Sequence, residues 1–525
     1  MRSQSLVSRK LFRLRNLWLF LTAFASCSTS VCSQEPQAPA AQQVQASLDD
    51  RLHALQEQLA QMQSAMAAMH DEILRSRAES AELRLEMEAT RLLLAAESKP
   101  ASASGESSTI ASSAVREAQN AQTPGETQQL TNAKLAELRQ TKVESASKYR
   151  VRLSGAVLLN VVENRGAVDN LDFPSLALAA SPGMPQGSFG ATLRQSMLGL
   201  EVFGPEIHGA RISGDLQFDF AGGFPYAPNG STFGLVRLRT GVIRLESPNT
   251  SLIAGQDAPF FSPLSPTSLA SLAEPAFSYS GNLWSWIPQV RLERRIPLGE
   301  NSRLALQAGI LDPLSGEVSY SQYLRTPVAG EASRQPAYAL RIAWSHRLFG
   351  RDVTIGVGSF YSRQNWQFGR NVDAWAGTAD WMVPIAPRWE LSGEFYRGRG
   401  IGGLGGGLGR SVVLTGPLSN PASDVQALNA VGGWTQLKFR QTEKLEWNAA
   451  YGLDNSTAAE LRNYPVSAPG NYNSSLARNH SGFLNFIYRP RSDLMFSVEY
   501  RRLQTISLFD SQSADHINLA IGVLF

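Results

Sequence analysis

From residue 149 to the end of the chain, apolar and polar side chains alternate one by one in segments of about a dozen residues. Trp389 and Phe395 alternate with Glu390 and Glu394, for example. Successive side chains of a β-strand point to opposite faces, so such a strand has one apolar and one polar face. The sequence contains no apolar run of about 18 residues that could form a membrane-spanning helix. We therefore expect an all-β fold over residues 149–525.

Sixteen such segments are predicted, and their number is even. They are 149–161, 192–203, 207–220, 234–247, 250–257, 284–296, 302–311, 337–349, 352–364, 371–384, 387–399, 430–441, 443–454, 480–490, 493–506 and 514–525. Short turns, including Gly204-Pro205-Glu206 and Ile385-Ala386, alternate with longer loops that follow strands 1, 3, 5 and every second strand thereafter. This alternation is typical of transmembrane β-barrels, which have short periplasmic turns and longer external loops.

A soluble β-sandwich would show the same local alternation, with charged residues outside and large apolar residues within. The strand count and the turn pattern favour a closed barrel of about 16 antiparallel strands instead. Nine of the ten tryptophans lie between Trp284 and Trp447, as aromatic girdles at the membrane interfaces require. An even strand number also returns the last residue, Phe525, to the end of the barrel at which the first strand begins.

Residues 1–25 have the features of a secretory signal peptide. Five basic residues and no acidic residue precede the short apolar run 17–25, which ends in Ala23-Phe24-Ala25. Cleavage after Ser33 is an alternative that would remove Cys27 and Cys32, and lipidation of Cys27 is a second one. Loss of five positive charges changes the formal net charge from +3 to −2, so the composition gives no reason to expect nucleic acid binding.

Residues 48–97 are predicted to form a parallel coiled coil, after a disordered segment at 26–47. Apolar positions recur at alternating spacings of four and three from Leu48 to Leu94. Three glutamates at g positions each precede an arginine at an e position by five residues: Glu72 and Arg77, Glu79 and Arg84, Glu86 and Arg91. Parallel helices in register satisfy all three pairs, so we expect a homo-oligomer.

Two short segments separate the coiled coil from the predicted barrel. Residues 98–125 are rich in Ser, Ala and Gly and predict a flexible linker. Residues 126–148 predict a short helix. The barrel then follows as a transmembrane domain at 149–525.

In this arrangement the chain resembles trimeric porins of the outer membrane, and especially the DcaP-like porins, which have an N-terminal coiled coil before the barrel. The segment Arg194-Gln195-Ser196-Met197-Leu198-Gly199-Leu200 resembles the second strand of such porins, and Phe525 resembles their terminal insertion signal. The resemblance implies a homotrimer in the bacterial outer membrane, with the coiled coil in the periplasm and no cofactor. Membrane lipid is then a partner, and peptidoglycan is a candidate partner of the coiled coil.

The resemblance also implies that the third long loop, residues 258–283, folds into the lumen and narrows it. Four prolines stiffen this loop, and Asp257 and Glu274 would supply its acidic side. Packing of the loop on a neighbouring subunit or on the outer rim remains an alternative. Strand parity assigns charged residues to the lumen wall opposite, namely Arg211, Asp215, Asp219, Arg237, Arg239, Arg291, Glu293, Arg341, Lys438, Arg440, Glu499 and Arg501.

No motif in the sequence favours an enzyme. The six histidines are scattered without a metal-ligand spacing, and the glycine pattern at 400–405 lacks the surrounding βαβ unit of a dinucleotide site. No spacing favours a catalytic Ser, His and Asp. The expected function is a water-filled diffusion pore for small hydrophilic solutes, with a mild preference for anionic or amphoteric ones. The alternative is a structural envelope tether whose barrel only anchors the coiled coil.

Overall fold

The computed structural model describes residues 150–525, except for 181, 182, 184, 208, 318–323 and 465–474. The predicted signal peptide, disordered segment, coiled coil with its glutamate–arginine pairs, linker and short helix all lie outside the described residues. They stay predictions. No helix among the described residues is both long and apolar enough to cross a membrane.

The regular secondary structure of the described residues is almost entirely β-strand, with one short helix, α1 (Ala458–Arg462), and three single 3-10 turns at Gly230–Thr232, Glu331–Ser333 and Gly402–Leu404. The strands are β1 (Arg150–Arg165), β2 (Gly187–Thr192), β3 (Met197–Ile207), β4 (Ala210–Asp219), β5 (Arg237–Glu246), β6 (Thr250–Asp257), β7 (Ile287–Pro297), β8 (Ser302–Leu311), β9 (Ala337–Leu348), β10 (Arg351–Asn365), β11 (Asn371–Ala386), β12 (Trp389–Arg399), β13 (Val412–Leu414), β14 (Val425–Ala427), β15 (Asn429–Arg440), β16 (Leu445–Ser456), β17 (Leu476–Arg491), β18 (Leu494–Ser507) and β19 (Ser511–Leu524).

One antiparallel sheet closes on itself to form a barrel. Each strand pairs with its neighbour in sequence, and β1 pairs with β19 from Ala156↔Leu524 to Arg165↔Asp515. The segments β2 and β3 both pair with β1, so together they form one barrel strand that is broken at 193–196. The strands β13 and β14 form a separate hairpin. The barrel therefore has sixteen strands, and the expectation of a closed barrel is confirmed.

Two predicted turns are wrong by a few residues. The strand β3 continues through Gly204-Pro205-Glu206 to Ile207, with a register shift between Phe203 and Glu206. Proline has no N–H group to donate, and a bulge accommodates it within a strand. The strand β11 likewise includes Ile385 and Ala386.

The alternation of long loops with short turns is only partly present. We call the end of the barrel with turns such as 349–350 the turn end, and the opposite end the loop end. At the loop end, the connections 366–370 and 508–510 have only five and three residues, little different from the turns of two to four residues. The other loop-end connections are long, among them loop 1 (166–186), loop 3 (258–286) and loop 6 (400–428).

The two faces of the barrel wall differ as the alternation predicts. On β19, the outward Leu519 and Ile521 are 47% and 48% exposed, whereas the inward His516 and Asn518 are buried. The apolar side chains of a transmembrane barrel face lipid and its polar ones face the lumen. The girdle interpretation holds only in part, because Trp434 points inward and is buried against loop 3.

A charge on the outer apolar face is expected to destabilise the barrel. Leu519→Arg should lower the free energy of unfolding by about 2–4 kcal/mol, the typical cost of arginine near the bilayer midplane. Ser513→Arg is the matched control, since Ser513 is exposed on the same face of β19 near the loop end, and it should cost about 0–1 kcal/mol. Equal costs in reversible denaturant unfolding in lipid vesicles would contradict the outward assignment.

Candidate functional site

Loop 3 lies inside the barrel and not on its rim. Phe260, Phe261, Leu269 and Leu272 are each at most 2% exposed. They would be exposed if the loop extended into solvent. The alternative in which loop 3 packs on a neighbouring subunit is therefore wrong, and the lumen is the candidate functional site.

The first part of loop 3 is attached to the wall of β11 and β12. The hydroxyl of Thr378 donates a hydrogen bond to the carbonyl oxygen of Phe261. Glu394 accepts two bonds, one from the Ser262 hydroxyl and one from the Leu264 amide, each at 2.7 Å. A carboxylate that accepts two such bonds satisfies loop groups that water would otherwise have to solvate.

The loop then passes β15, β17 and β18. The Thr267 amide donates to Gln436 Oε1 at 2.6 Å, and Asn485 Nδ2 donates to the Thr267 carbonyl at 2.9 Å. The next residue, Ser268, donates from its hydroxyl to Glu499 Oε2 at 2.6 Å. Amide side chains are suited to this position because they both donate and accept.

The break between β2 and β3 supplies an attachment with three hydrogen bonds to the loop backbone. At 193–196 the backbone leaves the strand, and the buried Gln195 reaches loop 3. Its Nε2 donates to the Ala270 carbonyl at 3.0 Å, and its Oε1 accepts from the amides of Leu272 at 2.7 Å and Ala273 at 3.1 Å. One side chain thus pairs three backbone groups of the loop.

Two further contacts complete a circuit of the inner wall. On β1, Asn160 Nδ2 donates to the Leu269 carbonyl at 2.9 Å, and on β5, Arg237 donates to the Ala273 carbonyl at 2.7 Å. In chain order, residues 261–273 therefore contact β11, β12, β15, β17, β18, β1, the β2–β3 break and β5. Because β5 is the neighbour of β6, where the loop began, the loop passes once around the lumen.

The second part of loop 3 crosses back over the lumen. The ring of Phe277 packs on Phe483 of β17 with centroids 5.1 Å apart. Gly281 has φ +99° and lies against β15, where a Cβ atom would come within 2.3 Å of the Gly433 carbonyl oxygen. Only glycine allows both that conformation and that approach.

The sequence motif around Gln195 has a structural explanation in these contacts. Arg194 forms an ion pair with Asp172 of loop 1 at 2.6 Å, and Ser196 Oγ accepts a bond from the Leu158 amide at 3.0 Å. The side chains of Arg194 and Ser196 therefore hold the strand break in place, and Gln195 between them points inward. Sequence reasoning considered only charged residues in the lumen, and so it missed the amide side chains that hold loop 3.

Of the two acidic residues predicted beside loop 3, Asp257 and Glu274, Asp257 forms a direct ion pair with a wall arginine. Asp257 accepts a bond from Arg291 at 2.9 Å. Arg501 instead pairs with Glu499 on its own strand at 2.6 Å, and Glu293 pairs with Arg295 on its own strand at 3.3 Å. The buried lumen charges are thus mostly neutralised within the wall.

The wall also holds a carboxylate that the prediction omitted. Arg341 makes two bonds to Asp380, at 2.7 and 2.9 Å, and both side chains are buried. Asp380 has the same parity as its inward neighbour Thr378, so the alternation could have identified it.

A β-bulge explains why Arg244 is also missing from the predicted lumen residues. The pairing of β4 with β5 shifts at Gln217, which skips Arg239 and changes the parity of β5 beyond it. Arg244 consequently points inward and pairs with Asp215. Strict alternation from Arg237 places Arg244 on the wrong face.

Near the start of β5, two arginines and a tryptophan form a stack. The guanidinium groups of Arg237 and Arg239 lie 4.8 and 4.9 Å from the ring centroid of Trp286, within the range of a cation–π contact. Asp219 lies 2.6 Å from Arg237 and 3.8 Å from Arg239. These predicted lumen residues therefore do come together, beside loop 3.

Glu274 of loop 3 lies close to this stack. Its carboxylate is 3.4 Å from the hydroxyl of Ser175 in loop 1. Burial, and next the negative charge of Asp169, raise the pKa of Glu274 to about 7, although Arg237 acts in the opposite direction. The pKa of Asp169 is also raised, by burial. Glu274 is thus an acidic group of the lumen that titrates near neutral pH.

Three predicted residues lie near the turn end, away from loop 3. Lys438 and Arg440 end the inward face of β15, and Arg211 is exposed at the start of β4. Among the residues that the structure describes, no three His, Cys, Asp or Glu side chains form a group that could hold a metal ion.

Comparison with known proteins gives a shared fold. No family model and no curated protein matches the sequence. The crystal structure of the outer membrane channel DcaP of Acinetobacter baumannii is similar, with a TM-score of 0.54 and 17% identity over 73% of this chain and 99% of that one.

Two further structures are similar at lower scores. An anion-selective porin from Comamonas acidovorans has a TM-score of 0.45 and 11% identity over 72% of this chain and all of that one, and the outer-membrane OmpT of Vibrio cholerae has 0.42 and 9% over 73% and all. Of these three structures, DcaP has a TM-score above 0.5, and the common fold is inferred from that comparison. The DcaP-like architecture expected from the sequence is confirmed for the barrel.

Replacement of Gln195 is expected to release loop 3 locally. Gln195→Leu keeps the size but leaves the amides of Leu272 and Ala273 without a side-chain acceptor, and each unpaired buried group costs about 1–3 kcal/mol. Hydrogen exchange at these two amides should accelerate by about tenfold or more. Gln504→Leu removes an exposed glutamine from the outer face of β18 and should leave their exchange unchanged. Equal exchange in both variants would contradict the role of Gln195.

Proposed function

We propose that this protein is an outer-membrane porin, a water-filled channel through which small hydrophilic solutes diffuse. The observation that carries the proposal is loop 3, which passes around the inner wall of a closed sixteen-stranded barrel, crosses back over its lumen and so narrows it. The similar DcaP structure is itself an outer membrane channel. An enzymatic role has no comparable support, since a reaction needs a site and the lumen charges mostly pair with each other.

The proposal includes an orientation and an oligomeric state. The turn end would face the periplasm and the loop end the exterior, as in barrels of this kind. The first strand, β1, begins at the turn end with Arg150, so the N-terminal coiled coil would extend into the periplasm. The predicted glutamate–arginine pairs in the sequence of that segment favour a homo-oligomer, and the resemblance to DcaP-like porins favours a trimer.

We expect only weak charge selectivity. Ion preference follows the fixed charges that remain unpaired along the pore. Most buried lumen arginines pair with carboxylates, among them Arg291, Arg341 and Arg501. A mild preference for anionic or amphoteric solutes would then come from the few cations left over.

Planar-bilayer recording of the purified protein tests the proposal. We expect discrete conductance steps that close in groups of three, and a reversal potential in a salt gradient that indicates a slight preference for chloride over potassium. A variant that lacks residues 34–145 should keep this conductance, whereas a structural tether would show none with or without that segment. Absence of conductance would overturn the porin function, and cation preference would overturn the proposed selectivity.

The selectivity should depend on pH through Glu274. Because the pKa of Glu274 is about 7, its carboxylate is charged at pH 8 and mostly neutral at pH 6. The lumen therefore loses a negative charge as the pH falls, and the permeability ratio of chloride to potassium should rise. Glu274→Gln should show the higher ratio at both pH values.

Glu163→Gln is a suitable control for this measurement. Glu163 lies on the outer face of β1, where it is paired with Arg165. This variant should keep the pH dependence of the parent protein. A Glu274→Gln channel with an unchanged pH profile would contradict the assignment of the titration to Glu274.

A further inference from the structure

A group of charged side chains lies on the inner wall near the turn end, apart from loop 3. It contains four cations and two carboxylates on five strands, namely Arg351, Glu390, Lys438, Arg440, Glu446 and Arg489. In the sheet register Lys438 is directly opposite Glu390, and Arg440 is directly opposite Glu446. Two positive charges are in excess in this turn-end cluster.

The arginines already occupy both carboxylates. Glu390 pairs with Arg351 and lies 3.3 Å from Arg440, and Glu446 lies 3.5 Å from Arg489. Even so, donors are left over, because Arg351 Nη1 and Arg489 Nε are buried without a hydrogen-bond partner in the described structure. The cluster is thus richer in donors than in acceptors.

Lys438 is the member of the cluster whose positive charge has no directly paired carboxylate in the described structure. It is 4% exposed, and within the described part of the chain its ammonium group has no hydrogen bond or ion pair at contact distance. The charges that act on it are Glu446 and, with the opposite sign, Arg440, Arg489 and Arg351. A nearly buried ammonium group among arginines is costly unless an anion or water compensates it.

The cluster is separate from the contacts that hold loop 3. Lys438 lies two residues nearer the turn end than Gln436, and Arg489 lies four residues nearer than Asn485. Two residues of a strand span about 7 Å, so the cluster forms its own level below the loop.

We propose that the turn-end cluster binds a small oxyanion, either a phosphate or a carboxylate group, as solutes pass this end of the lumen. The arginine forks and the Lys438 ammonium would donate charge-assisted hydrogen bonds to its oxygen atoms. The inference rests on the proposed pore function, since the anion reaches the cluster through the lumen. It adds a second level of solute contact, distinct from the narrowing by loop 3.

Block of chloride current by inorganic phosphate tests this site in the full-length protein. At constant ionic strength, added phosphate should reduce the single-channel chloride current along a saturating curve. Lys438→Met should raise the half-blocking concentration about tenfold or more, because it removes a charged hydrogen bond. Lys438→Arg keeps the charge and should stay within about threefold of the parent protein.

Arg152→Gln is the matched control. Arg152 is an inward residue near the turn end of β1, paired with Glu201 at 3.4 Å, on a part of the wall that the cluster does not include. It removes the same charge from the same end of the lumen and should change the half-blocking concentration less than twofold. A shift as large as that of Lys438→Met would reveal a general field effect and overturn the site.

Two further measurements identify the class of ligand and distinguish failure of the oxyanion site from failure of the pore function. Malonate in place of phosphate distinguishes a carboxylate from a phosphate ligand, and block by either one supports the site. Normal conductance with no saturating block by phosphate or malonate would overturn the site alone. Absence of conductance in the parent protein would overturn the pore function itself.

Discussion

The structure depends on giving each backbone N–H and C=O group a hydrogen-bond partner where water is scarce. The wall does so by closing into a barrel, since β1 pairs with β19 and no strand edge of the described wall is left free. Loop 3 does so differently, because it is irregular and has no sheet partner inside the lumen. Its amides and carbonyls are paired instead with side chains of the surrounding wall, such as Glu394 and Gln195.

These attachments explain the choice of residue types in the lumen. Groups that both donate and accept, such as Gln436 and Asn485, contact the loop backbone, whereas most arginines contact carboxylates of the wall. Amides satisfy a peptide group without bringing a net charge into a confined space. At the turn end, where the loop is absent, positive charges exceed carboxylates in the cluster, and Lys438 has no hydrogen bond or ion pair among the described residues.

Much of the barrel could be predicted from the sequence, because alternation reports directly which face of a strand meets lipid. Local departures from a regular strand could not be predicted so well. Pro205 indicated a turn but lies in a bulge, and the bulge at Arg239 reverses the parity that would have placed Arg244. The role of Gln195 depends on contacts 75–78 residues away in sequence, and no local pattern reports such contacts.

The circuit of loop 3 also sets an order of assembly. Its partners come from both sides in the chain: Asn160 and Gln195 precede it, whereas Glu394 and Glu499 follow it by more than a hundred residues. The loop can reach its final position only after β18 has joined the growing sheet. Contacts so distant in sequence carry a large loop-closure cost, so we expect the complete set of loop contacts to form only once the wall is in place.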